Sequence, residues 1–269
     1  MTRVVSVANQ KGGVGKTTTT VNVAASLAQR GHTVLVIDLD PQGNASTALG
    51  IDHHEGAKSV YEVLSGELSL SDIARPCPDV EGLWGAPATI DLAGAEIELV
   101  SQVAREYRLS RAVEAYVADF ERAHSRPLDF ILMDCPPSLG LLTLNGLVAA
   151  RELLLPIQCE YYALEGLAQL LRTVEMVKTH LNPKLEVSAI LLTMYDGRTR
   201  LASQVVDEVR THFGTRVLNT VIPRAVRVSE APSFGQTIMT YDGSSPGALT
   251  YREASDEFAA IVPLGQVTT

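Results

Sequence analysis

Lysine, glycine and threonine crowd into one stretch, Lys11-Gly12-Gly13-Val14-Gly15-Lys16-Thr17-Thr18. Glycine at this density lets a backbone curl until successive N–H groups face one point, which suits a phosphate group. Lys16 then supplies positive charge for the β and γ phosphates, and the Thr17 hydroxyl supplies an oxygen for Mg2+. The usual phosphate-loop pattern, G-x-x-x-x-G-K-[ST], is broken here, because Gln10 stands where its first glycine belongs. A dinucleotide fingerprint fails too: Gly13-Val14-Gly15 is followed by Lys and Thr where a third glycine should come. The bland alternative is a flexible glycine turn, which requires this composition to arise by chance between a strand and a helix.

Three aspartates stand at places where a carboxylate could meet such a loop. Asp38 and Asp40 close the apolar run TVLVIDLDPQGN, and Asp134 follows FILM just before Cys135-Pro136-Pro137, which can continue neither strand nor helix. Open α/β sheets bind ligands at the carboxyl ends of their strands, so all three fall on the chemically useful edge, with Asp38 and Asp40 on a strand expected to neighbour the one that enters the glycine loop. One of Asp38 and Asp40 could be a turn residue before Pro41. Asp134 fits a Mg2+ partner acting directly or through water, its alternative being an Asp that satisfies loop amides. Cys135 reads as buried filler rather than as a nucleophile.

The elements that must hold these residues follow from hydrophobic spacing. Residues 3–8 form a β-branched run that passes into the glycine loop; VNVAASLAQR then carries helical spacing, and Gly31 stops it. The first 43 residues are thus a strand–loop–helix–strand unit. Further strand-like runs at 128–137, 150–158, 185–194 and 215–223 alternate with helical patterns, which predicts an α/β fold with a mostly parallel twisted sheet and helices on both faces. Ser245 and Pro246 suit the cap and first turn of a final helix, and residues 50–80 suit short helices at one edge. With no repeat and no long linker, one domain over residues 1–262 is expected, followed by a loose tail at 263–269.

The chain has 269 residues and a net charge of −9, which argues against constitutive binding to nucleic acid unless basic residues gather locally. Such a gathering exists between Met194 and Glu230, where Arg198, Arg200, Arg210, Arg216, Arg224 and Arg227 face only Asp196, Asp207, Glu208 and Glu230. Scattered solvated arginines are the alternative reading of that segment. Three cysteines without C-x-x-C spacing suit neither a disulfide framework nor a zinc or iron–sulfur site. No leader pattern or long apolar run is present, so a cytoplasmic protein that neither leaves the cell nor spans a membrane is expected.

The motifs together resemble the ParA family of partition ATPases, within the deviant P-loop class that also includes MinD. Besides KGGVGKTTT, the resemblance rests on DLDPQGN at 38–44, PATIDLAGAEIEL at 87–99, DCPPSLGLLTLN at 134–145, PIQCEYYALEGL at 156–167 and IPRAVRVSEAPSFG at 222–235. It implies a deviant P-loop fold that takes ATP and Mg2+ through residues Lys11 to Thr18, with Pro223 near the base. It implies that Lys11 reaches across a homodimer to the partner's phosphates, that Asp40 orients or deprotonates the attacking water, and that Asp38 supports the metal site beside Thr17 and Asp134. Arg198 and Arg227 match positions that contact double-stranded DNA without sequence preference, with Arg200 and Arg224 as weaker candidates. The implied function is bacterial chromosome or plasmid partition on the nucleoid, by an ATPase that is weak alone and stimulated by DNA and a ParB-type centromere-binding protein. The alternative is a MinD-like membrane-associated regulator, which needs a C-terminal amphipathic helix with a basic face. Here Glu253, Asp256 and Glu257 face a single Arg252.

Overall fold

The computed structural model describes residues 1–160 and 163–262, without the side chains of 163–166. The expected tail at 263–269 and part of the 156–167 motif lie outside the described residues. Among the described residues, eight strands form one sheet: β1 (Arg3–Val7), β2 (Val34–Asp38), β3 (Arg75–Pro76), β4 (Leu83–Ala86), β5 (Phe130–Asp134), β6 (Glu152–Gln158), β7 (Glu186–Tyr195) and β8 (Val217–Pro223). Their order across the sheet is β3-β4-β2-β5-β1-β6-β7-β8. Every pairing is parallel except β3 with β4.

The alternation of side chains along the strands divides the core into two halves. Leu35, Ile37, Ile131 and Met133 point into one cluster, while Val34, Val36, Phe130 and Leu132 point into the other. The second cluster is closed by α1 (Lys16–Gln29) and by the last described helix, Pro246–Ala260, whose Tyr251 and Phe258 are fully buried. The first is closed by the helices Arg108–His124, Leu141–Ala149, Ala163–His180 and Arg200–Phe213. Strands buried on both faces need continuous apolar runs, which is how they read in the sequence.

Local signals end the elements where expected. Gly31, at φ +91°, follows the Arg30 C-cap of α1 and takes a conformation that residues with a Cβ avoid. Ser245 caps the last helix, its hydroxyl accepting from the Ala248 N–H at 3.3 Å, with Pro246 in the first turn. The 50–80 region holds the short helices Val60–Ser65 and Leu70–Ile73, as anticipated. It also holds β3, which pairs with β4, and neither strand stands out in the sequence. Both are short, and β4 contains Trp84-Gly85, so no alternating pattern develops.

Candidate functional site

The glycine loop joins the carboxyl end of β1 to the amino end of α1. Gly13 and Gly15 adopt φ +73° and +86°, the left-handed region, and those two turns aim the loop back over the helix end. Gly15 occupies the N-cap and has no side chain with which to cap the helix. The leading N–H groups and the positive end of the helix dipole are therefore left for an anion. The loop is braced from two sides. The Thr193 hydroxyl, near the end of β7, donates to the Val14 carbonyl at 2.8 Å. Asn9 accepts from the Lys11 N–H at 3.0 Å and donates to the Pro156 carbonyl at 2.8 Å.

Lys16 is buried, at 7% exposure, and its ammonium donates to the Lys11 carbonyl at 3.3 Å. Burial lowers its pKa from the ordinary lysine value, while the nearby charges of Asp134 and Asp40 act in the opposite direction. An ammonium whose burial outweighs the neighbouring negative charges is suited to phosphate oxygens. Lys11 extends from the loop to the Glu160 carboxylate at 3.3 Å.

The three aspartates meet because the strands are parallel and in register. Asp38 and Asp134 are paired residues on β2 and β5, and Asp134 is also level with Val7, where the loop departs. Asp134 is fully buried and accepts from Thr17 at 2.7 Å and from Thr20 at 3.0 Å. Desolvation, with the neighbouring Asp38 charge, raises its pKa to about 8. Asp38, also buried, accepts from the Ser46 N–H at 2.9 Å, the Ser46 hydroxyl at 2.8 Å and the Asp40 N–H at 3.1 Å. Desolvation raises its pKa as well, to about 6. Asp40 accepts from the Gln42 N–H through one oxygen, at 3.0 Å. Cys135 is buried, and its thiol is pushed up to about 12, chiefly by desolvation.

Hard oxygen donors around Thr17 and Asp134 suit Mg2+, which takes one or two protein ligands and completes its shell with phosphate and water. Among the described residues, no three His, Cys, Asp or Glu side chains gather as an all-protein metal cage. Two buried carboxylates side by side, each with a raised pKa, lack cationic charge of the kind a divalent ion supplies.

The four arginines expected at DNA lie in the two adjacent segments that follow β7 and β8 at the same sheet edge, Arg198 and Arg224 in loops and Arg200 and Arg227 in the first turns of the helices Arg200–Phe213 and Val226–Glu230. The pairing of Tyr195 with Pro223 and the bond from the Arg224 N–H to the Tyr195 carbonyl, at 3.0 Å, hold these segments together. Arg198 forms a bidentate pair with Asp196, at 2.8 and 2.6 Å, and drives that carboxyl down to about 2. Arg200 opens its helix and is exposed. Arg224 faces Glu160 at 3.6 Å, and Arg227 lies 3.8 Å from Asp242 with its guanidinium over Tyr241. Pro223 ends β8 on this edge.

Several residues that build the site are not among those the sequence motifs single out: Thr20, Ser46, Thr193, Asn9 and Glu160. Thr20 was the accessible one, since it stands one helical turn beyond Lys16 and Thr17 and so shares their face. The others come from distant segments and depend on strand order.

A family model described as an AAA domain matches residues 2–187. The chain is 51% identical over 260 residues to the sporulation initiation inhibitor protein Soj of Bacillus subtilis, covering 97% of this chain and 99% of that protein. It is 49% identical over 249 residues to the chromosome partitioning protein ParA of Myxococcus xanthus, covering 93% and 85%. Among solved structures it is similar to one titled cobyrinic acid a,c-diamide synthase from Mycobacterium smegmatis, with bound ATP analogue and magnesium. That match has a TM-score of 0.81 and 41% identity, and covers 95% of this chain and 93% of the other. The deviant loop, the parallel sheet that carries it and the near full-length identity agree: the chain belongs to the ParA/Soj family of chromosome-partitioning ATPases.

Proposed function

We propose that the chain binds ATP with Mg2+ at residues 11–18, closes into a homodimer around two nucleotides, and in that state holds duplex DNA without sequence preference. Hydrolysis, slow alone and faster with DNA and a ParB-type centromere-binding partner, returns it to a monomer that lets DNA go. The observation that supports the nucleotide half is the convergence of Thr17, Asp134 and Lys16 at an uncapped helix start. Residues Gly12 to Thr18 cradle the phosphates, Lys16 neutralises them, and Thr17 with Asp134 holds Mg2+, which supplies further charge neutralisation. Asp40 orients the attacking water and accepts its proton. Asp38, the register partner of Asp134, supports the metal site, and through the Asp40 and Ser46 N–H groups it also fixes the turn that presents Asp40. Pro223 lies against the base.

Lys11 carries the dimer half, because two facing sets of phosphate charge need a cation from each subunit. Arg198 and Arg227 take DNA phosphates, with Arg200 and Arg224 as secondary contacts. This role places the protein in the bacterial cytoplasm, on the nucleoid. A membrane role is disfavoured by the last described helix. Its apolar face is spent on the core, and Glu257 on its other side accepts from the Asn219 and Thr220 N–H groups at 2.7 and 2.9 Å. Among the described residues, no helix is long and apolar enough to cross a membrane.

Sedimentation velocity in ATP–Mg2+, in ADP–Mg2+ and without nucleotide tests the switch, using Asp40→Ala to slow turnover. A dimer restricted to ATP, and lost in Lys11→Ala, is expected; a monomer in all three conditions refutes the proposal.

A further inference from the structure

One carboxylate stands between the two functions assigned above. Glu160, just past the end of β6, presents Oε2 to the Lys11 ammonium at 3.3 Å and Oε1 to the Arg224 guanidinium at 3.6 Å. Its orientation is set by Gln158, a buried residue whose amide donates to Oε1 at 2.5 Å. The backbone N–H of Glu160 in turn donates to the Gln158 carbonyl at 2.8 Å. Lys11 is thus tethered within its own subunit, to a residue shared with the loop after β8.

We propose that Glu160 is a positioning residue that holds Lys11 in the unpartnered subunit and passes wholly to Arg224 when Lys11 crosses to the partner's phosphates. The proposal rests on the ATP dimer described above. Lys11 cannot serve both anions at once, so each subunit must break its Lys11–Glu160 pair to dimerise. Side-chain exposures of 35% for Lys11, 48% for Glu160 and 59% for Arg224 leave these contacts wet and individually weak. Such contacts can be exchanged without trapping either state. Arg224 then has a definite part: as a second cation on Glu160 it weakens the hold on Lys11, and after the crossing it keeps the carboxylate from standing unpaired. The monomer–dimer equilibrium is thereby set partly by competition between two cations for one carboxylate.

The two substitutions Glu160→Gln and Arg224→Gln should act in opposite directions, which a loss of local structure would not produce. Glu160→Gln frees Lys11 and should lower the protein concentration at the dimer midpoint in ATP–Mg2+ by about fivefold, two weak pairs being relieved per dimer. Arg224→Gln leaves Glu160 to Lys11 alone and should raise that midpoint by about two- to threefold. In the double variant the Arg224 effect should vanish, since a neutral amide in place of the Glu160 carboxylate leaves no charge to contest. Sedimentation equilibrium over a protein dilution series in the Asp40→Ala background reads all four chains. A Glu160→Gln midpoint that is unchanged or raised would overturn the proposal, as would an Arg224→Gln effect that persists in the double variant. If the chain with Glu160 and Arg224 intact stays monomeric in ATP–Mg2+, the dimer reading itself falls, and this proposal with it.

Discussion

Asp40 and Asp134 are both carboxylates at strand ends near the glycine loop, and their surroundings assign them different work. Asp40 has one oxygen engaged by a turn N–H, whereas Asp134 is sealed beneath two threonine hydroxyls. Replacing Asp40 by Ala should lower the ATP turnover number by about 100-fold or more while ATP affinity stays close to wild type, because positioned proton acceptors act mainly on the chemical step. Single-turnover hydrolysis alongside equilibrium ATP binding checks both halves. Asp134 has a folded-state pKa raised to about 8 from an ordinary 3.8, so the folded chain holds a proton that the unfolded chain has released. Stability of the nucleotide-free protein should therefore fall as pH rises from about 4 through about 8, the native state binding more protons across that window. Asp134→Asn removes the penalty. Its melting temperature should match wild type near pH 4 and exceed it by a few degrees at pH 8.5, at the cost of Mg2+-dependent ATP binding. Thermal melts across pH without nucleotide, paired with Mg2+-dependent ATP titrations, decide this.

At the scale of elements, the glycine loop works because neighbouring strands brace it. The Thr193 hydroxyl on β7 holds the Val14 carbonyl, and removing it leaves a buried acceptor unpaired. Thr193→Val should weaken ATP binding by about three- to tenfold with little change in overall fold, as calorimetric titration with an ATP analogue would register. Thr193 also shows where sequence reading stops. The loop, α1 and six strands were legible from local spacing, because strands buried on both faces are written as continuous apolar runs. That Asp134 would lie at the phosphate edge was legible too, from an apolar run ending at Pro136. Which strands become neighbours was not legible: the strand of Asp38 and Asp40 is expected beside the loop strand, yet β5 lies between β2 and β1. The partnerships of Asp38 with Asp134, Thr193 with Val14 and Lys11 with Glu160 follow from the strand order, and they join segments about a hundred residues or more apart in most cases. The family resemblance supplied roles for Lys11 and Asp40 but no geometry for Asp38, whose oxygens turn out to be engaged in holding the next turn.

Over the whole molecule, a net charge of −9 and a set of arginines at one sheet edge coexist only because the positive charge is local. Arg198, Arg224 and Arg227 each have a carboxylate neighbour, so a single subunit offers DNA little unbalanced positive charge. A dimer doubles the contacts. With Arg198 and Arg227 from each subunit, the logarithm of DNA affinity should fall against the logarithm of salt with a slope of about −3.6. Arg198→Ala should bring that slope to about −1.8, and weaken binding to unrelated duplexes equally. The test closest to the proposed switch is fluorescence anisotropy of a random-sequence duplex titrated with the protein in ATP–Mg2+, in ADP–Mg2+ and without nucleotide, over a salt series. Binding confined to ATP–Mg2+ and steeply lost with salt is the expected result. Equal binding in all three states, or none in any, would contradict a nucleotide-gated dimer on DNA.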